Sequence, residues 1–187
     1  VLVVMFSSLL LGTTLVMMEK NSAAMLRNFF LPISKAVFIT STYLTTVIMI
    51  AVEIFVILSI SLFFIKDILT VLPSVALIMF VAASVFTFLG MGIGYIFTSE
   101  ETGVLASISF GSLLLFMSGV ILPLEGLIPV LRELSIFNPF VIAEKLIRNV
   151  FIFKIPLSEI YPDFILLVVY AIILFFLIWI LESIIHN

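Results

Sequence analysis

Cysteine is absent from the 187 residues, which excludes disulfides, thiolate metal sites and a cysteine nucleophile and leaves the redox compartment unread. Charge is scarce as well: Asp, Glu, Lys and Arg make up 10% of the chain against 64% hydrophobic residues. So few charges cannot cover a soluble domain of this size, and the chain reads as an integral membrane protein in contact with lipid. The net charge of -3 comes without a basic cluster, so nucleic acid is not expected as a partner. A GxxxxGK[ST] phosphate loop is missing, so any nucleotide hydrolysis would have to come from another polypeptide. The one histidine, His186, stands beside the C-terminus, and no paired carboxylates or clustered ligands lie in or beside the apolar runs, which argues against a membrane enzyme. A basic n-region is lacking too. The chain opens on Val1 and is apolar at once, which reads as a truncated or processed start rather than a secretory signal.

What the chain has in abundance is apolar runs of membrane length. A hydrocarbon core of about 30 Å takes roughly 20 helical residues. The expected fold is therefore all-α, a polytopic membrane helical bundle forming one transmembrane domain over 1–187, with five spans at about 1–18, 36–65, 69–97, 103–122 and 160–181. Lys66 and Asp67 make a very short turn, and Pro73 sits in a first helical turn, where proline is tolerated. Gly90 and Gly94 form a GxxxG pair that lets another helix approach, and Gly103, Ser107 and Gly111 recur every four residues as a second seam, read as packing rather than a substrate path. Thr98 to Thr102 is expected to be a polar link in which Glu100 and Glu101 are solvated.

From Pro123 to Pro162 the pattern changes. Prolines break the chain into pieces too short to cross a bilayer, yet the residues between them stay apolar. Two short amphipathic helices fit, one around Ile128 to Ile136 and one around Phe140 to Phe151, and segments of that length suit a re-entrant or interfacial position over 123–155. Tyr161 and Trp179 are placed like interfacial anchors of the last span.

The Glu19 to Lys35 stretch turns polar with helical periodicity. Met25, Leu26, Phe29 and Phe30 fall on one side, and Lys20, Asn21, Arg27 and Asn28 on the other. Asn21 or Ser22 can cap its start and Pro32 stops it. An amphipathic helix between two spans can lie in the headgroups or offer one face to a soluble partner. Five spans put the termini on opposite sides, and a plain count of Lys and Arg favours the side carrying Lys66, Arg132, Lys145, Arg148 and Lys154 as cytoplasmic. Glu53 is the ionisable residue deepest in a span, near the middle of the second. Two roles stay open for it: a polar point in a translocation path or dimer contact, or a local hydrogen bond to Ser or Thr.

Two stretches, EKNSAAMLRNFFLPISKAVFITSTYL (19–44) and FMSGVILPLEGLIPVLRELSIFNPFVIAEKLIRNVF (116–151), together resemble the membrane subunit of ABC type-2 export transporters. The resemblance implies six spans in the full family unit, one of them ahead of Val1. It implies that the 19–35 helix is a cytoplasmic coupling helix docking on an ATPase through Glu19, Lys20, Asn21, Ser22, Met25, Leu26, Arg27, Phe29, Phe30 and Pro32, which reverses the raw charge count. It places Gly119, Pro123, Pro129, Arg132, Asn138 and Pro139 in a pair of re-entrant helices before the last span. It further implies a nucleotide-binding ATPase subunit as partner, with ATP and Mg on that subunit and no cofactor on this chain. A second permease copy or a paralogue, lipid surroundings and a cell-membrane location complete the expectation. An ion-coupled secondary transporter is the alternative, but it would normally show intramembrane ion sites, mid-depth broken helices and an inverted repeat, whereas the chain offers Glu53 alone.

Overall fold

A computed structural model describes residues 1–21, 35–64, 68–121 and 129–185. The described elements are α1 (Leu2–Lys20), α2 (Lys35–Phe64), a 3-10 turn (Ile68–Thr70), α3 (Leu72–Ile96), α4 (Glu100–Phe116), α5 (Pro129–Ser135), α6 (Pro139–Phe151) and α7 (Tyr161–Ile185). No strand occurs among them, as expected for an all-α chain. Four helices, α1, α2, α3 and α7, are long and apolar enough to cross a membrane.

Several boundaries differ from the sequence reading, and those around Glu19 and of α4 have a local reason. Glu19 and Lys20 complete α1 instead of opening a new helix, and Asn21 is the C-cap of α1, its N–H donating to the carbonyls of Met17 and Glu19. Met, Glu and Lys are good helix formers, so nothing in Met17–Lys20 interrupts the run. The rest of the expected coupling helix, including Ser22, Met25, Leu26, Arg27, Phe29, Phe30 and Pro32, lies outside the described residues, and Lys35 is already the first residue of α2.

The fourth apolar run also moves. Ser99 caps α4, its hydroxyl accepting from the Thr102 N–H, and Glu100 and Glu101 sit in the first turn, where negative charge suits the positive end of the helix dipole. They belong to the helix and not to a link. At its other end α4 stops at Phe116: Met117 is the C-cap, Ser118 turns back onto the Leu115 carbonyl, and Gly119 takes φ 80°, a conformation that favours glycine. With 17 residues α4 is about 25 Å long, short of a full hydrocarbon core. The two short helices come close to expectation, α5 starting at Pro129 and α6 at Pro139, while Pro123 lies outside the described residues.

Helix α3 is the centre of the bundle. Its longest seam is with α1, and it also meets α7, α2, α6 and α4. The seam with α1 is set by glycine. A Cβ on Gly12 would stand 2.6 Å from the Thr87 carbonyl oxygen, one on Gly94 would stand 2.9 Å from the Thr13 carbonyl oxygen, and one on Gly90 would overlap the Leu9 carbonyl. The two backbones therefore touch, which is what small residues at four-residue spacing allow in a bilayer. Gly92, between the two, has open space around the same position. The second seam is real as well: Gly103 faces Thr13 and Met17, and Gly111 faces the Phe6 ring and Leu9, so α4 lies antiparallel to α1.

Thr13 joins all three helices. Its hydroxyl donates to the Gly90 carbonyl at 2.8 Å and accepts from the Ser107 hydroxyl at 2.6 Å. The result is a tightly joined unit of α1, α3 and α4. By contrast, α2 and α7 expose most of their surface, including Val52, Phe55, Ile172 and Phe176, as expected of helices that face lipid.

Candidate functional site

The bundle has two polar ends. At the near end α1 finishes, α2 starts, α3 finishes, α4 starts and α7 finishes, so Asn21 and Lys35 both lie there. Lys20 donates to the carbonyls of Gly94, Tyr95 and Phe97 at 3.1, 3.2 and 2.8 Å. Those carbonyls end α3 and lack partners in their own helix, so the ammonium caps the negative end of its dipole. Its neighbour Glu19 accepts from the Thr42 hydroxyl at 2.9 Å, across to α2. Glu19, Leu15 and Met18 of α1, with Ser41, Thr42 and Thr45 of α2, line an open cleft of about 290 Å³.

Two residues of this end were not singled out from sequence. Glu182 of α7 is 3% exposed and Tyr95 of α3 is 2% exposed. Tyr95 shares a buried cluster with Val16 of α1, Ile39 of α2 and Ile178 of α7, and Glu182 follows Ile178 by one helical turn, so both belong to this end. The signal was present: Leu167, Ile178 and Glu182 are all buried and lie on one α7 face at helical spacing. Ending the last span at Leu181 left Glu182 outside it, whereas α7 runs on to Ile185.

A second cleft, of about 500 Å³, opens between α2, α3 and α7. Its floor is aromatic. Tyr43 stacks on Phe88 with ring centroids 4.7 Å apart, and Phe88 meets Phe175 edge-on at 5.8 Å. The Tyr43 and Ser84 hydroxyls hydrogen-bond to each other at 2.8 Å, and Ser84 also donates to the Phe80 carbonyl. Little polar character remains in this cleft, which is suited to hydrocarbon or flat apolar groups.

At the far end α6 lays one face on the bundle, burying Phe140, Ile142, Ala143, Leu146 and Val150. Asn138 holds its start in two ways. The side-chain oxygen accepts from the Phe140 N–H at 2.9 Å, and the side-chain amide donates to the Leu114 carbonyl at 2.7 Å in the last turn of α4. Pro139 occupies the first turn, where its missing N–H costs nothing. Lys145 pairs with Asp163 of α7 at 2.7 Å, Arg148 pairs with Glu144, and the Tyr170 hydroxyl donates to the Phe137 carbonyl at 3.0 Å. Arg132 and Glu133 are exposed on α5.

Glu53 lies deeper in the bundle. Counted along α2 from Thr42, which meets Glu19 at the near end, it stands about 17 Å from that end, and Ile50 and Ile54 on either side of it share a buried cluster with Val4 and Met5 of α1. One Glu53 carboxylate oxygen is buried with no hydrogen-bond partner among the described residues.

The structure therefore brings Glu19 and Lys20 to the end that also holds Tyr95 and Glu182, and Asn138 and Pro139 to the other end with the charged pairs of α6, while Glu53 lies between the two. A model of the ABC-2 type transporter family matches residues 1–152, ending at the C-terminus of α6. No curated protein and no solved structure matches the chain.

Proposed function

Because this chain belongs to the ABC-2 type transporter family, we propose that it is the membrane-spanning permease subunit of an ATP-binding-cassette exporter, moving cargo outward with ATP hydrolysed on a separate subunit. The observation that carries this is the family match over residues 1–152, on a chain with four helices long and apolar enough to cross a membrane. In this reading α1, α2, α3, α4 and α7 are five spans in a cell membrane. The segment 22–34 is the coupling helix docking on the nucleotide-binding subunit, and α5 and α6 are the re-entrant pair on the outer side. ATP and Mg belong to the partner.

A second permease copy, identical or a paralogue, completes the transporter. Support for it comes from α4, whose outward face carries Ser109 and Ser112 beside Leu105 and Phe116, all exposed. Hydroxyls on the outer face of a membrane helix are better matched by another protein surface or a polar path than by lipid. Closure of the ATPases would push on segment 22–34 and move the α1, α3 and α4 unit as a body relative to α2 and α7.

Co-purification tests the reading. The chain is expected to bring down an ATPase, and replacing Met25, Leu26, Phe29 and Phe30 together by Ser is expected to reduce the recovered ATPase at least tenfold while the permease stays monodisperse. Cargo movement driven by an ion gradient with no ATPase present would replace this reading with an ion-coupled transporter.

A further inference from the structure

The last two residues of α1 pull in different directions. Lys20 uses all three donors of an ammonium on the carbonyls of Gly94, Tyr95 and Phe97, and so fastens the end of α1 to the end of α3. Glu19 accepts from Thr42 and fastens the same point to α2. Elsewhere α1 and α3 are already joined by backbone contact at Gly12, Gly90 and Gly94 and by the Thr13 hydroxyl. Lys20 extends that union to the last turn, whereas α2 is the loosely packed neighbour.

We infer that Lys20 is a positioning residue that passes a displacement arriving through Asn21 to α3, while α2, continuous with segment 22–34 at Lys35, takes it up directly and the Glu19–Thr42 bond keeps α1 and α2 in step. The inference rests on the docking role proposed for segment 22–34, since the displacement must start there. Chemistry favours Lys20 for the task. A cation over three helix-terminal carbonyls, partly shielded from water, resists being drawn away. Without it the central helix should lag behind the coupling segment, whereas α2, joined to that segment through the chain, should not.

The test uses the permease with its ATPase in vesicles. Lys20→Met keeps the aliphatic stem and removes the donors. It is expected to leave ATP hydrolysis within about twofold of wild type and to lower cargo moved per ATP about fivefold or more, while Lys20→Arg, which restores donors to the same carbonyls, returns the ratio to within about twofold. Thr42→Val, which leaves Lys20 untouched, should lower the ratio about twofold. A Lys20→Met protein with an unchanged ratio overturns the inference, as does one whose hydrolysis and transport fall together. The chain has no cysteine, so spin labels on Asn21→Cys and Ile96→Cys give an independent readout. Their distance distribution should broaden in Lys20→Met and sharpen again in Lys20→Arg. If wild-type transport proves independent of ATP, the docking reading fails by itself, and an unchanged label distribution in Lys20→Met would separately overturn the tie.

Discussion

Gly90→Leu is expected to abolish a stable bundle, while Gly92→Leu, two residues further on, is expected to leave it intact. The two glycines share a helix, a helix former's penalty and nearly the same depth. They differ in what lies beyond the Cα. At Gly90 the Leu9 backbone of α1 occupies the place a side chain would take, and a carbonyl in the middle of a helix cannot swing aside. Helices α1 and α3 would have to separate, which withdraws Gly12 from Thr87 and breaks the Thr13 hydrogen bond to the Gly90 carbonyl. Overpacking against rigid backbone, with the loss of that bond, is expected to cost about 3 kcal/mol or more. At Gly92 no atom lies within contact of the added group, so Leu should change stability by less than about 0.5 kcal/mol or raise it slightly through helix propensity. Thermal unfolding of detergent-purified protein, followed by size-exclusion profile, distinguishes the two. A Gly90→Leu protein as stable as Gly92→Leu would show that α1 and α3 do not meet along this seam.

The second large effect is at Asn138. One side chain here caps α6 and supplies the partner for a carbonyl in the last turn of α4. Asn138→Ala removes both and is expected to cost about 2 kcal/mol, roughly half from the cap and half from the Leu114 carbonyl left without its donor in a site where Asn138 is only 4% exposed. Asn138→Ser keeps a good capping oxygen but is too short to reach Leu114, so it should cost about half as much. Equal losses for Ala and Ser would assign the whole effect to the interhelical bond. No loss for either would detach α6 from α4. The same comparison by hydrogen exchange should show faster exchange at both the start of α6 and the end of α4 in the Ala variant, but mainly at the latter in the Ser variant.

Much of the bundle was legible in the sequence because lipid imposes simple rules. Apolar runs of membrane length gave α2 to within a residue and α3 and α7 to within about a helical turn, and prolines at 129 and 139 marked the starts of α5 and α6. The glycine and serine stripes were read as seams, and both are. What the stripes did not carry was their partner: α1, with Gly12 and Thr13, receives both. The failures came where a polar residue had two possible destinations. Glu19 and Lys20 look like the start of a polar helix because they are charged, yet they finish α1 because the ends of α2 and α3 accept them. Glu100 and Glu101 look like a solvated link, yet they serve the first turn of α4 under a Ser99 cap.

Composition alone determined that this polypeptide lives in lipid, because a chain so poor in charge has no other way to satisfy its surface. Hydropathy and proline spacing determined most helix positions, because each helix satisfies its own backbone and needs no neighbour to form. Only tertiary structure decided which helices touch and that Lys20 closes the end of α3. Those facts depend on the relative height and tilt of separate helices, and a linear pattern of side chains holds no record of how far one helix has slid along another.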